Sequence, residues 1–426
     1  MDINIVGGGS CGLTAAIGLR RAGHKVKIFE RASTATAFGA GVVLGQNASL
    51  VLTEYGLDWA AAKCNQADGI HLHHGVTMQR LSTTHTDKAE YAPRPGITQY
   101  LAHRVDLCQA LVDLATASDG SSTPVEIVYN ANVTAYDALE GSLTLANGEV
   151  HKADLVVAAD GVHSCAPAHL LGHESIRHTG TSVVRWMLPT ESLQSDPETR
   201  CLLQDPEYAT FWISADRQKY LIQYPLRLGT LQNFALYIVH KETAELNDQT
   251  MRSTCDRERV HKELDGFSPA IHAMVDKTTD SIPVWRLGER DPLPTWHKSR
   301  LVIVGDAVHP MLPNQGQGLG MVVEDAAALA VVLQDMPPNP SAEQIEERLS
   351  IFEKIRKPRA SVAQLLSSVP YYEDPLKTLL PQLLEHMPMN QLPASGLPND
   401  VRPWFYRYDV FKEAEKAVAE QQKELS

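Results

Sequence analysis

Three short segments, far apart in the chain, carry residue types suited to holding a phosphate-bridged nucleotide. Val6-Gly7-Gly8-Gly9-Ser10-Cys11-Gly12 lies at the N-terminus, Asp154 to Gly161 in the middle, and Leu301 to Pro310 near residue 300. At Gly7, Gly9 and Gly12 a backbone without side chains can approach a pyrophosphate. The free N–H groups and positive dipole end of a following helix would face the same phosphates. Glu30 stands 23 positions after Gly7, near the separation of about 20 at which an acid accepts from ribose hydroxyls. Its negative charge disfavours a 2′-phosphate in that groove.

Placing these groups requires a strand, a tight turn, a helix and a second strand, and the hydrophobic pattern supplies all four. Ile3–Val6 reads as a buried parallel strand, Leu13–Arg21 as a helix closed by a left-handed cap at Gly23, and Lys25–Phe29 as the strand that delivers Glu30. A loop of small residues, Ala32 to Gly45, follows. The spacing then predicts a helix from about Asn47 to Tyr55, strands over His71–Arg80 and Gln99–Leu101, and a helix over His103–Ala117. Pro93 and Pro95 break the polar stretch between those two strands. Further strands are expected at Glu126–Tyr129, Val133–Tyr136 and Ser142–Leu145, the last closed by the Asn147-Gly148 turn. Strand patterns dominate again at Ser182–Leu188, Tyr208–Ile213, Tyr220–Leu226 and Phe234–His240, with one helix from roughly Cys255 to Val275. Leu301–Val304 is a last buried strand. Helices then continue to the end, with Pro337 to Pro340 as a linker and a polar helical segment from Asp409 to Ser426.

This order predicts an α/β fold with a discontinuous, Rossmann-like nucleotide domain (1–75, 100–173 and 287–370). A β-rich substrate domain (76–99 and 174–286) is inserted into it and roofs the reactive end of the ligand, and a C-terminal helical segment (371–426) follows. With 426 residues, 43% hydrophobic and 21% charged, the composition is that of an ordinary globular protein of more than one domain. A net charge of −13 argues against nucleic acid or an anionic membrane as the main partner. Cys11, Cys64, Cys108, Cys165, Cys201 and Cys255 form no C-x-x-C pair, so reduced thiols are expected rather than a zinc knuckle or dithiol centre. The first strand begins at Ile3, leaving no room for a cleavable leader, and no apolar run reaches the 18 or so residues of a membrane span. The expected location is cytoplasmic.

Taken together, the motifs resemble those of the single-component flavoprotein aromatic hydroxylases, the group of salicylate hydroxylase and para-hydroxybenzoate hydroxylase, and in particular salicylate-hydroxylase-like fungal monooxygenases. The likeness runs from Ile3 to about Asp409. Besides the three segments above it includes Gly39-Ala40-Gly41 with Asn47, His103-Arg104-Val105-Asp106-Leu107, Ala159-Asp160-Gly161-Val162-His163-Ser164, Pro313-Asn314-Gln315-Gly316-Gln317-Gly318 with Glu324-Asp325, and Trp404-Phe405-Tyr406-Arg407-Tyr408-Asp409. Gln46 departs from the proline many relatives carry before the asparagine, which would reshape the loop beside the flavin.

The resemblance implies an FAD site built from Gly7, Gly9, Gly12, Glu30, Gly41, Arg104, Asp160, Asp306, Gly316, Gly318 and Leu319. Asp306 would accept from a ribityl hydroxyl, and the helix opened by Gln315 to Gly320 would face the flavin N1 and C2 carbonyl, where negative charge gathers on reduction. It further implies reduction by NADPH or NADH bound only transiently, capture of dioxygen as a flavin C4a-hydroperoxide, and transfer of one oxygen atom to an aromatic or other electron-rich small molecule. Arg185 and Tyr224 occupy strand positions resembling those that line the pocket, the first suited to a phenolate or carboxylate and the second to a hydroxyl. Pro313, with Pro310, would stiffen the wall beside the flavin edge. Phe211, Trp212 and Gln223 are weaker candidates for the same pocket. His71, His73 and His74 invite a metal reading, but no carboxylate or cysteine at ligand spacing accompanies them and no metal is expected. Hydroxylation, epoxidation and oxidative dearomatisation all remain open, as does a non-catalytic flavin-binding redox sensor. A flavin halogenase would carry a Trp-x-Trp-x-Ile-Pro segment, which is absent, and a plain NAD dehydrogenase leaves Gly305-Asp306 and Gly316-Gln317-Gly318 unexplained. The chain is expected to act as a monomer or homodimer.

Overall fold

The apolar strand Leu155–Ala158, buried along its whole length, sits in the middle of a six-stranded sheet. The computed structural model describes residues 1–34, 39–86, 89–118, 122–172, 176–217, 219–239, 252–370 and 373–425. Part of the predicted small-residue loop, the end of the strand predicted to reach His240, and Ser426 lie outside these residues.

In chain order, the first half runs β1 (Asp2–Val6), α1 (Ser10–Arg21), β2 (Lys25–Phe29), β3 (Gly41–Leu44), α2 (Gln46–Glu54), β4 (Asn65–Ala67), β5 (Gly69–His74), β6 (Arg80–His85), β7 (Gln99–His103), α3 (Arg104–Thr116), β8 (Glu126–Val128), β9 (Val133–Asp137), β10 (Ser142–Leu145), β11 (Val150–Lys152), β12 (Leu155–Ala158) and α4 (Ala166–Leu171). It continues with β13 (Arg177–Pro189), α5 (Thr190–Gln194), β14 (Tyr208–Ile213), β15 (Tyr220–Leu226), β16 (Leu231–Val239), β17 (Arg252–Cys255), α6 (Arg257–Glu263), α7 (Pro269–Val275), β18 (Ile282–Glu289), β19 (His297–Lys298) and β20 (Leu301–Ile303). The C-terminal helices are α8 (Gly318–Val332), α9 (Ala342–Ser367), α10 (Leu376–His386), α11 (Pro398–Tyr406) and α12 (Val410–Leu425).

The first sheet has the order β19-β20-β12-β1-β2-β8, with β12, β1, β2 and β8 parallel and β19 antiparallel to β20. The chain leaves β1 toward β2 and returns on the other side as β12. The carboxyl end of β1 is therefore the topological switch point at which such sheets open a crevice. α1 and α8 cover one face of this sheet, and Gly18 lets them meet: a Cβ there would stand 2.3 Å from the Tyr55 hydroxyl and 2.8 Å from Ala330.

The second sheet is eight-stranded, β17-β18-β13-β16-β15-β14-β5-β6, antiparallel except where β14 runs parallel to β5. Its order corrects the expected division of the chain. Residues 69–74, placed with the nucleotide segments, pair as β5 with β14 and β6 in this sheet. The single strand predicted over His71–Arg80 is instead the end of β5, a turn, and the start of β6. The predicted helix from Cys255 to Val275 is also two: Gly266 adopts a left-handed φ of 82°, and Pro269 opens α7 at the position where a missing N–H costs nothing. A small sheet, β3-β7-β4, joins the two layers. The C-terminal segment packs on the first layer: Val410 and Ala414 of α12 are buried, Val410 within the core beneath the first sheet.

Candidate active site

The two sheets meet over a cavity of about 350 Å³ lined from both sides. On the nucleotide side the three glycines of the first turn divide the work. A Cβ on Gly7, whose φ is 102°, would fall 2.5 Å from Ala159 O, and one on Gly12 would fall 2.0 Å from Gly7 O, so these two let the turn pack on β12 and on itself. Gly9 has nothing within 4 Å and lines the cavity, leaving the backbone open to a phosphate. Glu30 accepts from Gly8 N at 2.6 Å and from Ala32 N at 2.8 Å, which fixes its carboxylate at the end of β2.

Asp306 exposes its carboxylate to the cavity although it lies deep in the molecule. That depth pushes its pKa above the ordinary carboxylate range, against the pull of His309 and Arg104. Arg104 opens α3 at the same cavity, its N–H donating to Ala40 O at 3.0 Å. Pro313, Gly316, Gly318 and Leu319 complete this wall, with Gly316 in the left-handed region at φ 63° just before α8 begins. Asp160 lies just behind the cavity wall. Its neighbours Ala159 and Gly161 line the cavity, while its own carboxylate accepts from the Tyr136 hydroxyl at 3.0 Å and is pushed upward in pKa by burial.

The residues fit an FAD. Gly9, Gly161 and Gly316 present open backbone, Gly318 meets nothing nearer than 3.9 Å, and Asp306 sits where the two sequence-distant motifs converge. Gly9, Ser10 and Cys11 from the β1 turn and Gly316, Gly318 and Leu319 from the start of α8 line the same cavity, with Glu30 held by Gly8 and Ala32 just behind the turn.

Strand parity settles which side chains roof it. Arg185, Ala235, Ile222 and Phe211 stand opposite one another across β13, β16, β15 and β14, and the rows on either side bring Tyr237 with Tyr220, and Tyr224 beside Ala209 and Ile70. All of these line the cavity. Residues one step along each strand face the opposite way. Trp212 and Gln223, expected as weaker pocket candidates, therefore point to the far core, where the Trp212 indole N–H donates to Gln223 Oε1 at 3.1 Å. Phe211 does face the cavity.

Burial raises the pKa of Tyr224 well above that of a free phenol, and raises Tyr237 as well, while Arg185 draws both back. Both phenols stay protonated donors at working pH. Tyr237, adjacent to Arg185, was not singled out from sequence, although its i+2 relation to Ala235 on a half-buried strand carried the signal. Tyr220 stacks on Tyr237 with ring centroids 4.5 Å apart, and its hydroxyl donates to Asn314 Oδ1 at 3.0 Å, bridging the roof to the Pro313 turn. Gly41 lies under Tyr224, where a Cβ would come within 2.5 Å of the ring, and donates its N–H to Asn233 Oδ1 at 3.0 Å. Gln46 is fully buried at the first turn of α2, and among the described residues neither atom of its amide has a hydrogen-bond partner. The histidines lie elsewhere: His71 contacts Asp205 at 2.9 Å and stacks on Tyr208.

Behind α8 a buried charge network holds the site in place. Asp325 accepts from Gly305 N at 2.9 Å, from Arg356 Nε at 2.9 Å and contacts His309 Nε2 at 2.6 Å. Glu324 accepts from Arg356 at 2.6 Å, from Arg359 at 2.7 and 2.9 Å, and from Asn47 at 2.6 Å. Burial alone would raise both carboxyl pKa values. Their partners outweigh it: Arg359 and Arg356 hold Glu324, and His309 and Arg356 hold Asp325, below the usual range.

Comparison with known proteins agrees with this geometry. Residues 1–363 match the family described as FAD binding domain. The FAD-dependent monooxygenase phomE' of Diaporthe leptostromiformis is 34% identical over 402 residues, which span 92% of this chain and 96% of that protein. Hispidin-3-hydroxylase of Neonothopanus nambi is 30% identical over 377 residues, 84% of this chain and 86% of its own. A solved salicylate hydroxylase substrate complex shares the fold, with a TM-score of 0.73 at 24% identity and 98% of each chain covered. By its glycine turn, by the Asp306 and Gly316 motifs that close on the same cavity, and by these relatives, the chain belongs to the FAD-dependent monooxygenases.

Proposed function

We propose that the protein uses NADPH or NADH and dioxygen to place one oxygen atom on a phenol-like aromatic ring bound between the flavin site and the eight-stranded sheet. When bound, FAD supplies the redox chemistry, taking electrons from the nicotinamide donor and activating dioxygen toward an electron-rich carbon. The chain's own residues do the rest. Asp306, Arg104 and the amides at the start of α8 hold the cofactor, and Glu30 accepts from its ribose. Arg185 stabilises a phenolate, which raises electron density on the ring, while Tyr224 and Tyr237 donate to its oxygen and orient it. Phe211, Ile222 and Leu101 exclude water. The observation that carries this reading is the placement of Arg185 between two buried, protonated tyrosines on the one sheet face that looks onto the cavity.

The sequence contains a single glycine-rich nucleotide turn, which supports a nicotinamide donor that binds only transiently. In the same reading the nucleotide domain takes 1–68, 100–173 and 287–370, the roof takes 69–99 and 174–286, and the protein works in the cytoplasm as a monomer or homodimer. Among the described residues no helix is long and apolar enough to cross a membrane. A screen of NADPH-dependent oxygen uptake against phenols, indoles and prenylated aromatics tests the proposal. Uptake stimulated by one phenolic class is expected; flavin-containing protein whose NADPH and NADH oxidation no aromatic stimulates would reject it.

A further inference from the structure

The sheet face that roofs the cavity continues past it. A second cavity, of about 370 Å³, lies alongside, and Arg185 lines both. Strand parity puts the two on one surface. Met187 lies two residues beyond Arg185 on β13, Asn233 of β16 pairs with Met187, and Trp285 of β18 pairs with Val183, two residues before Arg185. Met187, Asn233 and Trp285 all line the second cavity, as does Ala40, whose chain neighbour Gly41 lines the first. The Arg185 guanidinium stands 5.9 Å from the Trp285 ring centroid, at the boundary between them.

Two donors at this boundary lack acceptors. Asn233 is only 1% exposed. Its Oδ1 accepts from Gly41 N at 3.0 Å, and because a backbone N–H can only donate, that contact fixes which end of the amide is Nδ2. Among the described residues Nδ2 has no hydrogen-bond partner, and neither has the buried Nε of Arg185. A buried donor left unpaired bears the full desolvation cost of its group, which a ligand oxygen placed against it recovers. The charges of the second cavity are otherwise accounted for. No carboxylate lines it, and Lys277, its other cation, is paired with Asp196 at 2.6 Å. Arg185 faces the phenolate in the proposed reaction. The remaining donor is therefore a neutral amide, which suits a neutral oxygen, since a buried anion needs a countercharge.

Resting on the monooxygenase reading, we propose that the second cavity is a substrate subsite that takes a side arm of the aromatic substrate, and that Asn233 Nδ2 donates to a neutral carbonyl oxygen, of a ketone or an amide, on that arm. Arg185 marks the joint, with the ring on one side of it and the arm on the other. The substrate class is then a phenol carrying a carbonyl-bearing arm, and Asn233 is a specificity-determining residue.

The test uses flavin-containing protein and matched probes titrated by perturbation of flavin absorbance. They are 3- and 4-(3-oxobutyl)phenol, each beside the (3-methylbutyl)phenol in which CH–CH₃ replaces the carbonyl and beside the corresponding 3-(hydroxyphenyl)propionate. At least one ketone is expected to bind on the order of tenfold more tightly than its hydrocarbon partner, the size of one hydrogen bond otherwise left unmade, and at least as tightly as the matching acid. Asn233→Asp keeps an oxygen for Gly41 N and removes the donor, so it should bring the ketone-to-hydrocarbon ratio to one or below. Thr278→Trp adds bulk to the wall of the second cavity and should weaken both long-armed phenols relative to phenol itself. A ratio near one for both pairs in the unaltered protein, which needs no variant to fold, overturns the inference, as does a preference that survives Asn233→Asp or an acid that outbinds its ketone. If no phenol perturbs the bound flavin, the aromatic-oxygenation reading fails and the inference falls with it, an outcome distinct from ketone and hydrocarbon binding equally.

Discussion

The nucleotide layer and the roof are built on opposite plans. Around β1 the site is made of contiguous turns: Gly9 to Cys11 and Met311 to Leu319 each bring several lining residues from one short stretch, with Asp306 just ahead of the second. In the eight-stranded sheet no strand supplies more than two or three pocket residues, and the face is assembled by register, with Arg185 from β13, Tyr237 from β16, Tyr224 from β15 and Phe211 from β14. The first plan fixes a constant ligand through backbone geometry. The second can change substrate one side chain at a time without disturbing the cofactor.

If that contrast holds, damage behind α8 should be the most severe and act on the whole nucleotide layer. Glu324→Ala leaves Arg356 and Arg359 buried without their shared carboxylate, a loss expected to cost about 3–5 kcal/mol in urea unfolding. The sign of its pH dependence follows from the depressed pKa of Glu324. Its stabilisation is complete above the unfolded carboxylate value of about 4.3 and is lost as pH falls below it. The acid limb of the stability profile should therefore be shallower in the variant than in the parent. A change under about 1 kcal/mol would mean that the network does not hold the layer.

A reciprocal pair sharpens the comparison. Asp306→Ala should weaken FAD binding roughly 10- to 100-fold, the loss of a hydrogen bond to a charged group, with the ranking of aromatic substrates unchanged. Arg185→Ala should keep the bound flavin spectrum and lower substrate-stimulated kcat/KM by a similar factor. A colourless Arg185→Ala protein would show that the two plans are not separable.

The smallest effect belongs to the bridge between them. Tyr220→Phe removes one hydrogen bond to Asn314, worth about 0.5–1.5 kcal/mol. Looser closure of roof on flavin turn should appear as a larger share of reducing equivalents released as hydrogen peroxide, measured against product formed.

The same contrast explains what was legible in the sequence. The elements around the β1 turn were readable because their spacing is local: β2 spans Lys25–Phe29 as expected, and Gly23 closes α1 with the predicted left-handed φ, at 86°. Strands such as Tyr208–Ile213 and Tyr220–Leu226 were placed to the residue, yet sequence did not say which alternate faced the cavity. Trp212 and Gln223 were misassigned for that reason, and Tyr237 was passed over. β5 was given to the wrong layer because its partner, β14, follows more than 130 residues later in the chain. The place of α11 was illegible for the same reason: nothing near Tyr406 in the sequence indicates that this helix returns to Gln99 and the cavity.

In the proposed function the cavity between the two sheets is where an oxygen atom passes from dioxygen to a ring. The direct measurement is turnover of flavin-containing protein with NADPH or NADH and a responsive phenol under ¹⁸O₂, with product mass read by spectrometry. One ¹⁸O per product molecule is predicted, lost in parallel with activity in Arg185→Ala. Product carrying only ¹⁶O from water, or NAD(P)H oxidation that yields hydrogen peroxide with every aromatic supplied, would contradict it.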